Sequence, residues 1–163
     1  MKKIIITPEK CTGSRLCESI CVLYNDRVND LSRSRIRIAK KHSLGLSKPV
    51  VCLQCKNPPC GKACPVKAIQ RDSNGWVKID YELCIGCEAC VSECPFGAMS
   101  TSPDKVLKCE LCGGDPQCIK YCATGAIDYG DLESFNQRKR VQGLNLSLTQ
   151  SLSPRGSGEG EGQ

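Results

Sequence analysis

The chain is poor in the side chains that normally fill a protein core. Of its 163 residues only 4% are aromatic, with two Phe and one Trp among them. A single compact domain of that length, so thinly supplied with large side chains, needs staples as well as packing. Histidine is also scarce. The one copy, His42, lies far from any cysteine, so a solvated loop position is expected ahead of a metal or proton-transfer role. No long apolar run occurs: Met1-Lys2-Lys3 is followed by three Ile and then Thr7-Pro8-Glu9, too short for a secretory segment or a membrane span. There is no nucleophile with a positioned base, no Gly-rich phosphate cradle and no Cys-x₃-Cys-x₂-Cys run. A catalytic residue is not expected.

Cysteine, by contrast, is abundant, with 15 copies. An odd number argues against complete disulfide pairing, and disulfide frameworks belong to short secreted chains. A reducing, cytoplasmic setting is expected. The cysteines fall into four groups: Cys11, Cys17 and Cys21; Cys52, Cys55, Cys60 and Cys64; Cys84, Cys87, Cys90 and Cys94; Cys109, Cys112, Cys118 and Cys122. The third group reads C-x₂-C-x₂-C-x₃-C-P, the run that holds 4Fe–4S clusters in bacterial-type ferredoxins, which it resembles. Zinc needs two Cys-x₂-Cys knuckles and gains nothing from a fourth Cys followed by Pro. A zinc-stapled interaction protein is therefore the lesser alternative.

The groups repeat internally. Cys64-Pro-Val-Lys-Ala-Ile69, Cys94-Pro-Phe-Gly-Ala-Met99 and Cys122-Ala-Thr-Gly-Ala-Ile127 share Cys-x₃-Ala-apolar; the Ala packs close to a cluster and the apolar residue starts a strand. Trp76-Val-Lys-Ile-Asp80 alternates as a strand entering the third group, Ile4-Ile-Ile6 plays that part for the first, and Ser34 to Ala39 alternates with Ile36 and Ile38 inward. Each unit is expected as strand, Cys loop, short helix and strand. Lys40, Lys41 and His42 should lead into a loop through Gly45 and Pro49. Trp76 is expected to cap the small core after an Asn74-Gly75 turn. Laying the first group on the third matches Cys11 with Cys84, Gly13 with Gly86, Cys17 with Cys90 and Cys21 with Cys94. Ser14 then stands where Cys87 stands, so one of sixteen ligand slots holds Ser.

The net charge of +6 suggests nucleic acid only until the metals are counted. Each 4Fe–4S unit with four thiolates carries roughly 2− when oxidised, so three of them cancel the excess. No aromatic platform interleaves the basic residues either. The expected organisation is a polyferredoxin domain over 1–130, with an inner pair of sites from 52–99 and an outer pair from 11–21 with 109–127. The extension over 131–163 holds the basic run Gln137-Arg-Lys-Arg-Val141 and Leu144, Leu146, Leu148 and Leu152. It is expected to be partly disordered or to dock on a partner.

From Lys3 to about Asp128 the chain resembles the four-motif electron-transfer subunits of molybdenum or tungsten pterin oxidoreductases. Leu111-Cys112-Gly113-Gly114-Asp115-Pro116, the spacing from Cys109 to Cys122, and Lys56-Asn57-Pro58-Pro59-Cys60 are closest to a soluble set. That set serves tungsten aldehyde oxidoreductases and tungsten-dependent (class II) benzoyl-CoA reductases. The resemblance implies an α+β fold of tandem ferredoxin-like units with little regular secondary structure. It implies that the chain relays single low-potential electrons between a larger pterin-containing catalytic subunit and a soluble donor or acceptor, such as a ferredoxin or a further electron-transfer subunit. A freestanding polyferredoxin is the alternative.

The resemblance also implies ligand swapping between paired sites. Cys52, Cys55 and Cys60 would share a 4Fe–4S cluster with Cys94; Cys84, Cys87 and Cys90 with Cys64; Cys109, Cys112 and Cys118 with Cys21. Cys11, Cys17 and Cys122 would form a fourth site with the Ser14 slot. Because a hydroxyl is far harder to deprotonate than a thiol, that fourth site is expected to hold a 3Fe–4S cluster, a zinc ion or a cubane with an oxygen ligand, or to be an empty relic.

Overall fold

The computed structural model describes residues 2–41, 43, 45–131 and 133–137. His42 and the segment carrying Leu144 to Leu152 lie outside them. The chain divides into two units, Met1–Gly130 and Asp131–Gln163. In the second, the described residues form a short helix over 133–137.

The first unit is an α+β fold of short elements. Its described residues form β1 (Lys3–Ile6), α1 (Leu16–Asp26), β2 (Ile36–Lys41), β3 (Leu46–Val51), α2 (Pro59–Lys62), β4 (Ile69–Arg71), β5 (Val77–Ile79), α3 (Ala89–Ser92), β6 (Met99–Ser102), β7 (Lys105–Lys108), α4 (Gln117–Lys120) and β8 (Ile127–Gly130). The strands make four antiparallel ribbons: β1 with β8, β2 with β3, β4 with β5, and β6 with β7. Every Cys-x₃-Ala-apolar phrase does what its sequence suggests. Ile69, Met99 and Ile127 begin β4, β6 and β8, opposite Ile79, Lys108 and Ile6. The β1–β8 ribbon ties the first cysteine group to the last across most of the chain.

Two small cores follow from this pairing. One gathers Ile4, Ile36, Val51, Leu111 and Ile127 around Cys17, Cys21, Cys109 and Cys118. The other gathers Ile69, Val77, Ile79, Met99 and Val106 around Cys60 and Cys90. Trp76 packs against the first core from a partly exposed position, after a turn in which the Asp72 carboxylate accepts the N–H of Asn74 and of Trp76. Gly75 at φ +79 completes that turn, the left-handed step that closes such hairpins.

One expectation fails. Gly45 does lie in a turn, but the loop foreseen to run on through Pro49 is strand β3 from Leu46, with Pro49 opposite Ile38. Pro is excluded from central strands because it lacks an N–H. In a two-stranded ribbon, residues whose N–H would point away from the partner need no donor, so Pro49 fits.

Candidate metal centres

Backbone conformation shapes each cysteine loop first. The residue before the second slot is left-handed in all four: Gly13 at φ +73, Gln54 at +52, Gly86 at +70 and Leu111 at +59. The first and third loops match further, since Arg15 (φ +63) and Glu88 (φ +59) follow Ser14 and Cys87 and stand at the N-termini of α1 and α3. Thus the backbone around Ser14 repeats that around Cys87. Alternating handedness turns successive N–H groups toward one concavity, a nest suited to an anion.

Among the described residues, four cavities are lined by cysteine loops and helices. The first is lined by Cys52, Cys55, Cys60 and Cys94 with Leu53, Pro58, Val77 and Met99. The second is lined by Cys64, Cys84, Cys87 and Cys90 with Val66, Ile79 and Ile85. The third has Cys21, Cys109, Cys112 and Cys118 with Ile4, Asn25 and Arg35. The fourth has Cys11, Ser14, Cys17 and Cys122 with Ile38, Pro49 and Tyr121. These are the groupings that the family resemblance implies, each joining residues of separate segments. Counting their solvent-facing parts, the first three hold about 360, 310 and 340 Å³. The Ser14 cavity holds about 650 Å³. None of the 15 cysteines is paired in a disulfide. They line the cavities without converging on a point: among the described residues no three Cys, His, Asp or Glu are grouped to hold one metal ion.

Backbone amides already address the sulfurs. Ala68 N–H donates to Cys64 Sγ at 3.2 Å and Ala98 N–H to Cys94 Sγ at 3.4 Å. Both bonds come from the Cys-x₃-Ala turn, which passes through Lys67 at φ +54 and Gly97 at φ +56. Cys21 sits inside α1 and lacks that turn. Arg35 N–H serves its Sγ instead, at 3.3 Å.

Burial dominates the thiol chemistry. It pushes Cys17 and Cys109 up to about 12 and Cys90 up to about 11, and it raises Cys60, Cys112 and Cys118. Such thiols stay protonated at neutral pH unless a metal displaces the proton. Cys122 differs. Burial raises it too, but hydrogen bonds from the Ile127, Ala126 and Thr124 N–H groups and the Thr124 hydroxyl outweigh burial and hold it below its ordinary value.

The cavities adjoin one another in a row. Cys17 of the fourth shares one core with Cys21, Cys109 and Cys118 of the third, and Cys52 of the first packs against that core. Cys60 of the first shares the other core with Cys90 of the second. The order is fourth, third, first, second. Gln54, fully buried, links two neighbours in the row: its Nε2 donates to Cys109 O at 3.0 Å and its Oε1 accepts from Val77 N–H at 2.7 Å. Sequence reasoning missed Gln54, Lys108 and the group formed by Asp26, Arg35 and Lys105. The run Val106-Leu107-Lys108, buried at every position, breaks the strand alternation that would have exposed Lys108.

The sequence profile of the family described as "4Fe-4S dicluster domain" matches residues 45–132. The chain is 39% identical over 139 residues to the "Aliphatic sulfonate oxidoreductase, polyferredoxin-like subunit" of Pyrococcus furiosus, covering 83% of this chain and 79% of the relative. It is 32% identical over 148 residues to the "Thiosulfate reductase electron transfer subunit PhsB" of Salmonella typhi, covering 82% and 77%. A chain in the solved "Active site complex BamBC of Benzoyl Coenzyme A reductase in complex with Zinc" aligns over 88% of this chain and 89% of its own length. It does so at 22% identity and a TM-score of 0.49, too low to carry an argument.

Proposed function

The chain belongs to the 4Fe-4S dicluster domain family, and from that premise we propose that it is the iron–sulfur electron-transfer subunit of an oxidoreductase complex. The observation that carries this reading is the row of four cavities, each lined by cysteines from separate segments. The donors suit the group. Thiolates are the soft ligands of iron–sulfur clusters, and a cubane takes each sulfur at a different corner, so its ligands need not converge. The Ala68 and Ala98 N–H groups aimed at sulfur are the outer-shell bonds that set such a site's potential.

When bound, such clusters accept and release single electrons. The chain's own residues space the carriers, exclude water through Val77, Ile79 and Met99, and hold the field around each sulfur. Both ends of the row face outward. Cys87 is exposed beside Ile85, which is 65% exposed, at one end, and Ser14 is exposed at the other. Electron transfer falls off steeply with distance, so a row is useful when each end meets a redox partner. Three sites take 4Fe–4S clusters on Cys52, Cys55, Cys60 and Cys94; on Cys64, Cys84, Cys87 and Cys90; and on Cys21, Cys109, Cys112 and Cys118. The Ser14 site takes an altered occupant. The partner in this reading is a larger catalytic subunit with a tungsten or molybdenum pterin.

Native anaerobic purification tests the assignment. The expected result is a stable complex with a larger subunit that contains pterin and tungsten or molybdenum. Recovery solely as a monomer would favour a diffusing polyferredoxin. Among the described residues no helix is long and apolar enough to cross a membrane.

A further inference from the structure

Lys108 ends β7 and is 0% exposed. Its ammonium donates to two backbone carbonyls, Val77 O and, at 3.1 Å, Cys109 O. Among the described residues it pairs with no carboxylate, whereas buried Glu18 faces Arg15 and the enclosed Asp26 carboxylate faces Arg35 and Lys105. Leaving an ammonium in an apolar interior is costly, and carbonyl dipoles offset only part of that cost. Such a residue makes physical sense where a negative charge comes to lie beside it.

The location supplies that charge. Lys108 lines the first cavity together with Cys52, Cys55, Cys60 and Cys94. Its carbonyl partner belongs to Cys109, a donor of the third cavity. Lys108 therefore stands between the two, lining one and holding the backbone of a donor of the other. Gln54 bonds to the same two residues, Val77 and Cys109, which fixes the carbonyls that hold Lys108. The charge therefore lies at the junction of the two middle cavities of the row.

We propose that Lys108 is a built-in counter-charge that raises the reduction potential of the first cavity's occupant, and less strongly the third's, above the values set by their thiolates and amides alone. The proposal rests on the iron–sulfur reading above. Reduction by one electron from a neighbouring carrier adds one negative charge to the cavity. A cation at short range and out of water favours the more negative state. The middle of the row is thereby more oxidising than it would be without Lys108.

The test is an EPR-monitored redox titration of the full chain, purified anaerobically, comparing wild type with Lys108→Gln. Glutamine keeps an N–H donor for the carbonyls and removes the charge. One couple should become about tenfold harder to reduce, a fall of about 59 mV for one electron. A second should fall by less, and the remaining couples should stay in place at every pH tried. Couples that all stay in place, or all move together, would overturn the proposal. If Lys108→Gln fails to hold iron, Lys108→Arg decides: iron retained there shows that the cavity needs the charge, and iron lost from both variants assigns Lys108 a packing role only. A wild-type protein without iron–sulfur signals overturns the cluster reading itself, an outcome distinct from unmoved couples in a loaded variant.

Discussion

Replacing Asp26 by Asn should loosen the joint between α1 and the strands beside it. Asp26 ends α1, with its side chain 4% exposed, and its two oxygens take Arg35 Nη1 and Lys105 Nζ, each at 2.7 Å. Breaking a buried ion pair by removing one partner costs about 3–5 kcal/mol. Here the figure needs discounting, because Lys105 is 28% exposed and Arg33 keeps Asp104 at 2.7 Å. Only Arg35, 9% exposed, is left stranded, so about 2–3 kcal/mol is expected. With guanidinium slopes of about 2–6 kcal/mol per molar, the apparent midpoint of anaerobic unfolding should drop by roughly 0.3–1.5 M. Arg35 also directs its N–H to Cys21 Sγ, so the third cavity should lose its metal first. The pH dependence has a definite sign. Burial raises the Asp26 carboxyl, but Arg35 and Lys105 outweigh it and hold the group below its ordinary value. A depressed carboxyl contributes stability that is complete above the unfolded pKa of about 3.9 and disappears only as pH falls through the folded value. The gap between wild type and variant should therefore be flat from about pH 5 to 8. A variant as stable as wild type would refute the reasoning, as would a gap that shrinks as pH rises through that window, the mark of a raised carboxyl.

Cys94→Ala should remove or convert the occupant of the cavity formed with Cys52, Cys55 and Cys60 while sparing that of Cys84, Cys87 and Cys90; selective loss of the latter would mean that each segment ligates locally. Ser14→Cys should bring the iron content toward about 16 per chain, and an unchanged count would remove Ser14 from the donor position. Lys67 holds at φ +54 a place where the sister turns have Gly97 at +56 and Gly125 at +64. A left-handed residue costs about 1–2 kcal/mol and glycine's added chain entropy about 0.5–1, so Lys67→Gly should stabilise by roughly 0.5–1 kcal/mol in the same unfolding assay; a loss would show that the lysine stem contributes packing.

What the sequence makes legible here is whatever local covalent spacing dictates. The C-x₂-C-x₂-C loop, the Cys-x₃-Ala turn and the apolar residue after it are all built within six or seven residues, and Ile69, Met99 and Ile127 start strands as that reading requires. The Ser14 slot was visible because the repeat provides its own internal standard. Features that arise only when distant segments meet were hidden. Lys105 lies 79 positions from Asp26, and Gln54 lies 55 from Cys109. Lysine is almost never fully buried unless paired, so Lys108 reads as surface until the fold encloses it. Pro49 reads as a strand breaker until its ribbon proves to have only two strands.

Iron and acid-labile sulfide, measured per chain in protein purified under strict anaerobiosis, test the cluster assignment most directly. The expected result is a brown protein with about 12 to 16 iron atoms and nearly as much sulfide, the lower end applying if the Ser14 site holds zinc or stays empty. A colourless protein with stoichiometric zinc and no sulfide would contradict that assignment.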